Sequence, residues 1–211
     1  MSGDRVTFVG DAMAAVVQGI AEAHALIGRP PVVVGGLAVL ARLSNPYRAT
    51  VDLDVVDRRQ GPASQLEVLR AGAGAEPLEP AAVLLQTRFG PVKIDVLEVR
   101  QIELDRPSDD PGDRLYASAR AWAHDTATDL TIEVLLSGHS SITVTTLVAE
   151  PGPLIAMKLQ AVENRSSNKQ GTDLLDIVRL LLDPATRPPA LAQITSVAPA
   201  VAHDMALHVD L

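Results

Sequence analysis

The stretch Val32–Asp54, VVVGGLAVLARLSNPYRATVDLD, decides both the fold and the chemistry that this chain can support. An apolar strand ends at Gly35-Gly36, a helix-like segment follows, and a second apolar strand carries Asp52 and Asp54. Successive side chains of a strand point to opposite sides, so the two carboxylates share one face. Adjacent like charges are costly unless a divalent cation lies between them, although a solvated strand face remains the alternative. Glycines at a strand-to-helix turn offer backbone amides to phosphate. The pattern predicts a phosphate cradle beside a metal site, which nucleotidyl transfer requires.

Composition narrows the class of protein. The chain has 211 residues, 47% of them hydrophobic, so it can form one large domain or two small ones. It has no cysteine, which excludes disulfides and thiolate metal sites. The net charge of −8 argues against broad, non-specific nucleic-acid binding. The sequence shows no signal peptide and no apolar run long enough for a membrane helix, so we predict a cytoplasmic protein without membrane contact. Hydrolase-triad, P-loop and histidine metal-site patterns do not occur.

Periodicity and turn residues predict an α+β chain with a mixed sheet first and helices last. We predict two parts, an α/β core over 1–150 and a helical C-terminal part over 151–211 that contributes to the active site. A hairpin is expected around Gly90-Pro91, and residues 105–114 read as a polar loop. The expected helices are 11–27, 36–43, 65–73, 153–165 and 172–182, with one or two more after Pro189, and the expected strands are 31–34, 50–56, 83–89, 92–99, 130–136 and 142–148.

Side chains near the aspartate pair extend the candidate site. Asp95 lies on a strand expected beside the first one, where a third carboxylate would complete a two-metal arrangement. Its alternative is a surface acid paired with Lys93 or Arg88. Arg48 could bind phosphate in a bidentate fork or be an ordinary loop arginine. Thr50 shares the acid-bearing face because it lies two residues before Asp52.

The C-terminal half adds Lys158, which lies in an otherwise apolar helical segment. Such a lysine either extends to solvent or reaches a ligand phosphate as a point charge. Arg165 lies two turns further along the same face. Asp173 and Asp176 follow at positions i and i+3 of a predicted helix that Thr172 could cap. From this spacing alone, the favoured interpretation is that the two carboxylates interact with the dipole at the N-terminus of that helix.

Together these residues resemble a known family. Gly35-Gly36 followed by R-x-T-x-D-x-D looks like the nucleotidyltransferase signature of the DNA polymerase β superfamily. The later K-x-x-A-x-x-x-R and K-x-x-x-D-x-x-D are similar to the AbiEii/MenT-type nucleotidyltransferase toxins. The resemblance covers about residues 30 to 182, and its second half is carried by Lys158, Ala161 and Arg165, then Lys169, Asp173 and Asp176.

The resemblance implies a nucleotidyltransferase-like fold and a role for each matching residue. Asp52 and Asp54 would hold a divalent cation, Mg²⁺ or Mn²⁺, with Asp95 as a further ligand. An acid of the TDLLD segment would complete the catalytic set, with Asp173 favoured over Asp176. The nucleoside triphosphate (NTP) would contact Gly35, Gly36, Arg48, Thr50 and Lys158.

The resemblance also implies an activity. Toxins of this family transfer nucleotides from an NTP to the 3′ end of tRNA, which blocks aminoacylation and translation, and a cognate antitoxin neutralises them. An RNA substrate predicts a basic strip formed by Arg48, Arg88, Lys158, Arg165 and Lys169. Two alternatives remain open: transfer to a small molecule or a protein hydroxyl, and a catalytically silent relative that binds a partner protein.

Overall fold

The computed structural model describes residues 4–59, 63–164 and 167–209, apart from the side chains of residues 163, 164 and 167–169. Its strands are β1 Arg5–Val9, β2 Val32–Val34, β3 Asp52–Asp57, β4 Glu76–Pro77, β5 Ala82–Thr87, β6 Gly90–Glu98, β7 Thr128–Leu135 and β8 Ser141–Val148. Its helices are α1 Ala14–Ile27, α2 Gly35–Arg42, α3 Gln65–Arg70, α4 Gln101–Asp105, α5 Pro111–Asp125, α6 Pro151–Asn164, α7 Ser167–Leu182, α8 Arg187–Ser196 and α9 Pro199–Leu207.

The described strands form one mixed sheet in the order β1-β7-β8-β2-β3-β6-β5-β4. Strand β3 lies near its middle, antiparallel to β2 and parallel to β6. The helices from α6 onward follow the last strand, so the predicted α+β class, with a mixed sheet, flanking helices and a helical C-terminal part, is confirmed. None of the described helices combines the length and the apolar character needed to cross a membrane.

Alternation along β3 positions the site. Leu53 and Val55 are fully buried in the core, and α1 packs against β3, β5, β6 and β8. The alternation does not extend to Val51, which precedes the start of β3 at Asp52 and is 73% exposed. One aliphatic core includes side chains from the sheet, from α1 and α2, and from the C-terminal helices α6 and α7. The proposed division at residue 150 stays a prediction.

Three local expectations need correction. The β5–β6 turn occupies Arg88 and Phe89 rather than Gly90-Pro91, because the Thr87 hydroxyl accepts from the Phe89 amide at 3.1 Å and donates to the Gly90 carbonyl at 2.7 Å. The expected loop 105–114 ends early, because the Asp110 carboxylate accepts from the Asp113 amide and caps α5. Helix α7 begins at Ser167, so Thr172 does not cap it.

Candidate active site

The register of β3 against β6 brings the predicted carboxylates together. Asp52 lies opposite Lys93, and Asp54 lies opposite Asp95, in a parallel pair. Neighbouring strands are about 4.8 Å apart, and side chains two positions apart point the same way. The structure therefore places the three aspartates on one side of the sheet, as the alternation predicted.

This acidic face forms the floor of a cleft with a volume of about 590 Å³. Helix α2 contributes the two glycines, α6 contributes Lys158, and α7 contributes Asp173. The helical C-terminal part thus supplies side chains to the same cleft as the sheet. Nine of the predicted site residues line it: Gly35, Gly36, Arg48, Thr50, Asp52, Asp54, Asp95, Lys158 and Asp173.

Gly35 is required at its position for two separate reasons. Its φ of +63° lies in the left-handed region, where a Cβ is unfavourable. A Cβ on Gly35 would also lie 1.9 Å from Oδ2 of Asp54, so the carboxylate rests directly on the glycine backbone. At Gly36, a Cβ would lie 3.0 Å from Nη2 of Arg48. Both glycines therefore give the acid and the arginine room to approach the start of α2.

Lys158 is held by two buried carboxylates. Its Nζ lies 2.5 Å from Oδ1 of Asp173 and 2.8 Å from Oδ2 of Asp176, and all three residues are at most 7% exposed. An ammonium has three N–H donors, and these two carboxylates take two of them. Because Lys158 also lines the cleft, its third donor can face a ligand there. The structure rules out an extended, solvated lysine.

Asp176 has a different place from Asp173. It is fully buried, it is not among the cleft-lining residues, and its carboxylate accepts from the Tyr47 hydroxyl. Nη2 of Arg48 lies 3.1 Å from Oδ2 of Asp176, so one carboxylate joins Arg48 to Lys158. Asp173 faces the cleft and Asp176 connects the groups behind it. The dipole explanation for this pair fails, because both acids lie well beyond the first turn of α7.

The pKa shifts support this network. Burial raises the pKa of the Tyr47 hydroxyl, and the hydrogen bond to Asp176 raises it further, so Tyr47 remains a donor. Burial alone would lower the pKa of Arg48, but Tyr47 and Asp176 outweigh it and raise the pKa. The loop before β3 is therefore tied to α7 by charged hydrogen bonds, which are the stronger kind in proteins.

Asp95 pairs with a lysine on its own strand. Nζ of Lys93 lies 3.2 Å from Oδ1 of Asp95 and 3.2 Å from Oε1 of Glu79. Burial raises the pKa of Asp95, Lys93 opposes that rise, and the charges of Asp52 and Glu79 add to it. The alternative in which Asp95 pairs with Lys93 is thus realised in the structure, and Asp95 as a metal ligand stays a prediction.

The donor set fits a Mg²⁺ ion that completes its coordination with substrate phosphates. Within the ranges that the structure describes, no group of three or more histidine, aspartate or glutamate side chains is arranged to hold a metal ion. Mg²⁺ is commonly bound through one or two carboxylates plus substrate phosphates, rather than by a full protein cage. Asp52 and Asp54, side by side above the Gly35 cradle, provide two such carboxylates.

The structure describes the side chains of three members of the predicted basic strip, and it places two of them in the cleft. Arg48 and Lys158 lie in the cleft, but both form ion pairs with aspartates of α7. Arg88 lies in the β5–β6 turn, outside the cleft lining, with its guanidinium 4.7 Å from the centroid of the Phe89 ring. Arg165 lies outside the described residues, as does the side chain of Lys169.

Sequence reasoning missed three contributors to the site. Arg120 of α5 is buried and lines the cleft, but α5 was not predicted. Glu79 lies in the turn before β5, and it reaches the cleft because β5 pairs with β6, the strand that carries Asp95. Tyr47 is adjacent to Arg48 in sequence, but its partner Asp176 is 129 positions away. No local pattern signals such a contact.

Comparison with known proteins adds a structural likeness. No family model matches the chain, and no curated protein matches its sequence. The chain is similar to the crystal structure of an antigenic nucleotidyltransferase-like protein from Paracoccidioides brasiliensis, with 21% identity over 93% of each chain and a TM-score of 0.46. A TM-score of this size does not carry the neighbour's activity over to this chain. Membership of the toxin-type family stays a prediction.

Proposed function

We propose that this protein is a magnesium-dependent nucleotidyltransferase that transfers nucleotides from an NTP to the 3′ end of tRNA. The observation that carries nucleotidyl transfer is the meeting of three groups in one cleft. These groups are the Gly35-Gly36 backbone, the Asp52–Asp54 carboxylate pair and Lys158 with Asp173. A phosphate cradle, paired oxygen ligands and a lysine cation are the parts that polyphosphate chemistry needs.

The reaction is a substitution at the α-phosphorus. The acceptor hydroxyl oxygen bonds to that phosphorus, the bond to the α–β bridging oxygen breaks with its electron pair, and pyrophosphate leaves. The hydroxyl proton passes to water. A bound Mg²⁺ supplies charge neutralisation for the phosphates. Lys158 donates to a phosphate oxygen, and Asp173 and Asp176 hold its ammonium in place.

The choice of tRNA rests on the resemblance to the AbiEii/MenT-type toxins, as do the block of aminoacylation and a cognate antitoxin. A specific feature favours a second candidate acceptor. Five acidic side chains, namely Asp52, Asp54, Glu79, Asp95 and Asp173, line the described cleft against four basic ones. The resulting slight negative charge favours a cationic small molecule such as an aminoglycoside. Transfer to a protein hydroxyl would use the same machinery.

The deciding experiment incubates the protein and Mg²⁺ with each of four α-labelled NTPs and total tRNA. Asp52→Asn and Lys158→Ala are assayed beside it, and Asp129→Asn is the matched control because Asp129 is an exposed strand aspartate outside the cleft. We expect label at the tRNA 3′ end with wild type and Asp129→Asn, and none with the two cleft variants. Label on an aminoglycoside or on protein instead would replace the tRNA acceptor. Absence of transfer to every acceptor, with no Mg²⁺-dependent NTP binding, would refute nucleotidyl transfer.

A further inference from the structure

We propose that the ammonium group of Lys93 occupies the place of a second cation beside Asp95. The free protein would then bind one divalent ion, at Asp52 and Asp54, rather than two. This inference rests on the proposed nucleotidyl transfer and assigns Lys93 a positioning role within that same site. The three carboxylates alone would predict two divalent ions in the cleft, and the ammonium of Lys93 reduces that number to one.

The acidic face needs compensating positive charge. Asp52, Asp54 and Asp95 share one side of two neighbouring strands, and the fourth place in that two-by-two arrangement belongs to Lys93. Three carboxylates at strand spacing repel one another unless cations lie among them. Lys93 provides one positive charge at this position, fixed by the register of β6 against β3.

The ammonium of Lys93 contacts two carboxylates. Its nitrogen lies 3.2 Å from a carboxylate oxygen of Asp95 and 3.2 Å from one of Glu79, so it bridges two acids as a metal ion would. The side chains of Lys93 and Asp95 are 25% and 20% exposed, whereas that of Glu79 is 68% exposed. Solvent screens the contact with Asp95 less, so that contact contributes more.

The backbone of the turn that carries Glu79 is held by Arg70. Nη2 of Arg70, at the end of α3, donates to the backbone carbonyls of Glu79, Pro80 and Ala82 at 2.6, 3.1 and 3.0 Å. Ala82 in turn pairs with Asp95 across β5 and β6. The turn that carries Glu79 is therefore fixed to the strand that carries Asp95. The backbone that carries each acid is thus held in place, and Lys93 lies between the two carboxylates.

A prediction about stoichiometry follows from these contacts. Lys93 contacts Oδ1 of Asp95, so a divalent ion that takes this oxygen as a ligand must displace the ammonium, and an ion that approaches the other oxygen meets the repulsion of a nearby positive charge. With methionine at position 93, the chain keeps an unbranched side chain but loses the charge. Asp95 then becomes available as a ligand for a second ion beside Asp52 and Asp54.

The experiment counts ions directly by titrating the full chain with Mn²⁺ alone and following free Mn²⁺ by electron paramagnetic resonance. We expect one bound Mn²⁺ per chain for wild type, Lys93→Arg and Asp95→Asn, and two for Lys93→Met. The double variant Lys93→Met/Asp95→Asn should return to one. Circular dichroism and thermal melts of each variant establish that it is folded.

The outcomes separate this inference from the function on which it rests. Two ions in wild type, or one ion in folded Lys93→Met, overturn the role of Lys93 and leave nucleotidyl transfer intact. If Asp52→Asn/Asp54→Asn keeps the wild-type Mn²⁺, the proposed metal site is wrong. Loss of that ion in Asp52→Asn/Asp54→Asn, together with gain of a second ion in Lys93→Met, supports both the metal site at Asp52 and Asp54 and the role of Lys93.

Discussion

The substitution Gly35→Ala tests whether the backbone of α2 fixes the position of the Asp54 carboxylate. Residue 35 has a φ of +63°, and an alanine held there costs about 1–2 kcal/mol. In a domain of this size each kcal/mol lowers the melting temperature by about 2–4 °C, so a drop of about 2–8 °C is expected.

The larger effect is expected on catalysis. The new Cβ would lie 1.9 Å from Oδ2 of Asp54, whereas ordinary contact begins at 3.4 Å, so the carboxylate must move by about 1.5 Å. A displacement of about 1 Å in a catalytic group can reduce the rate by about 100-fold. We therefore expect transfer of α-labelled nucleotide to fall by about 100-fold or more, in a protein that still folds.

Gly28→Ala is the matched control. Gly28 also has a positive φ, +79°, at the C-terminal end of α1, but a Cβ there would meet no atom within 4 Å. It should lose a similar amount of stability and keep its transfer rate. Full activity in Gly35→Ala would refute the argument that this glycine positions Asp54. Equal loss of activity in both variants would attribute the effect to stability alone.

Two further predictions concern stability. Tyr47→Phe removes the hydroxyl that donates to the buried Asp176 carboxylate, so the free energy of unfolding in urea should fall by about 1.5–3 kcal/mol; an unchanged midpoint would contradict a role for this hydrogen bond. Asp183 has a lowered pKa: burial would raise it, but hydrogen bonds from the Ala185 amide and from Ser44 outweigh burial. A carboxyl group with a lowered folded pKa contributes stability above the unfolded value of 3.8, and that stability is lost as pH falls through the folded pKa. Asp183→Asn should therefore be less stable than wild type at pH 6, and the difference should shrink as pH falls below 3.8. Urea titrations across this pH range measure the difference, and a constant difference would contradict the linkage.

The central part of the fold could be predicted because its signals are local. Strand β3 alternates aspartates with buried Leu53 and Val55, and Gly28 ends α1 in a left-handed conformation. Helix α5 escaped prediction because most of its buried positions are alanines around Leu115, so no stripe of large apolar side chains marks one face. Its buried Arg120 was missed for the same reason.

In the candidate site, too, relations within one strand or helix could be predicted, whereas contacts between distant parts of the chain could not. Spacing along one strand or one helix placed Asp52 with Asp54, and Asp173 near Asp176. The distinction between the two α7 acids depends on Tyr47 and Lys158, which come from different parts of the chain. Sequence periodicity reports the direction in which a side chain leaves its own element, but it does not report which element lies opposite.

Three basic side chains of the cleft lining form ion pairs with carboxylates. Among the described lining residues, four basic side chains face five acidic ones, and the lining therefore carries a net charge of −1. Lys158 and Lys93 each form ion pairs with two carboxylates, and Arg48 forms one with Asp176. A bare triphosphate entering this cleft would meet a slightly negative surface and gain little from cations whose charge is already compensated. A divalent cation at Asp52 and Asp54, whether it is bound beforehand or enters with the triphosphate, supplies the missing positive charge. The arrangement thus favours a triphosphate that binds together with a divalent cation, because the acids that pair with Lys158, Lys93 and Arg48 leave little uncompensated charge on the protein side chains.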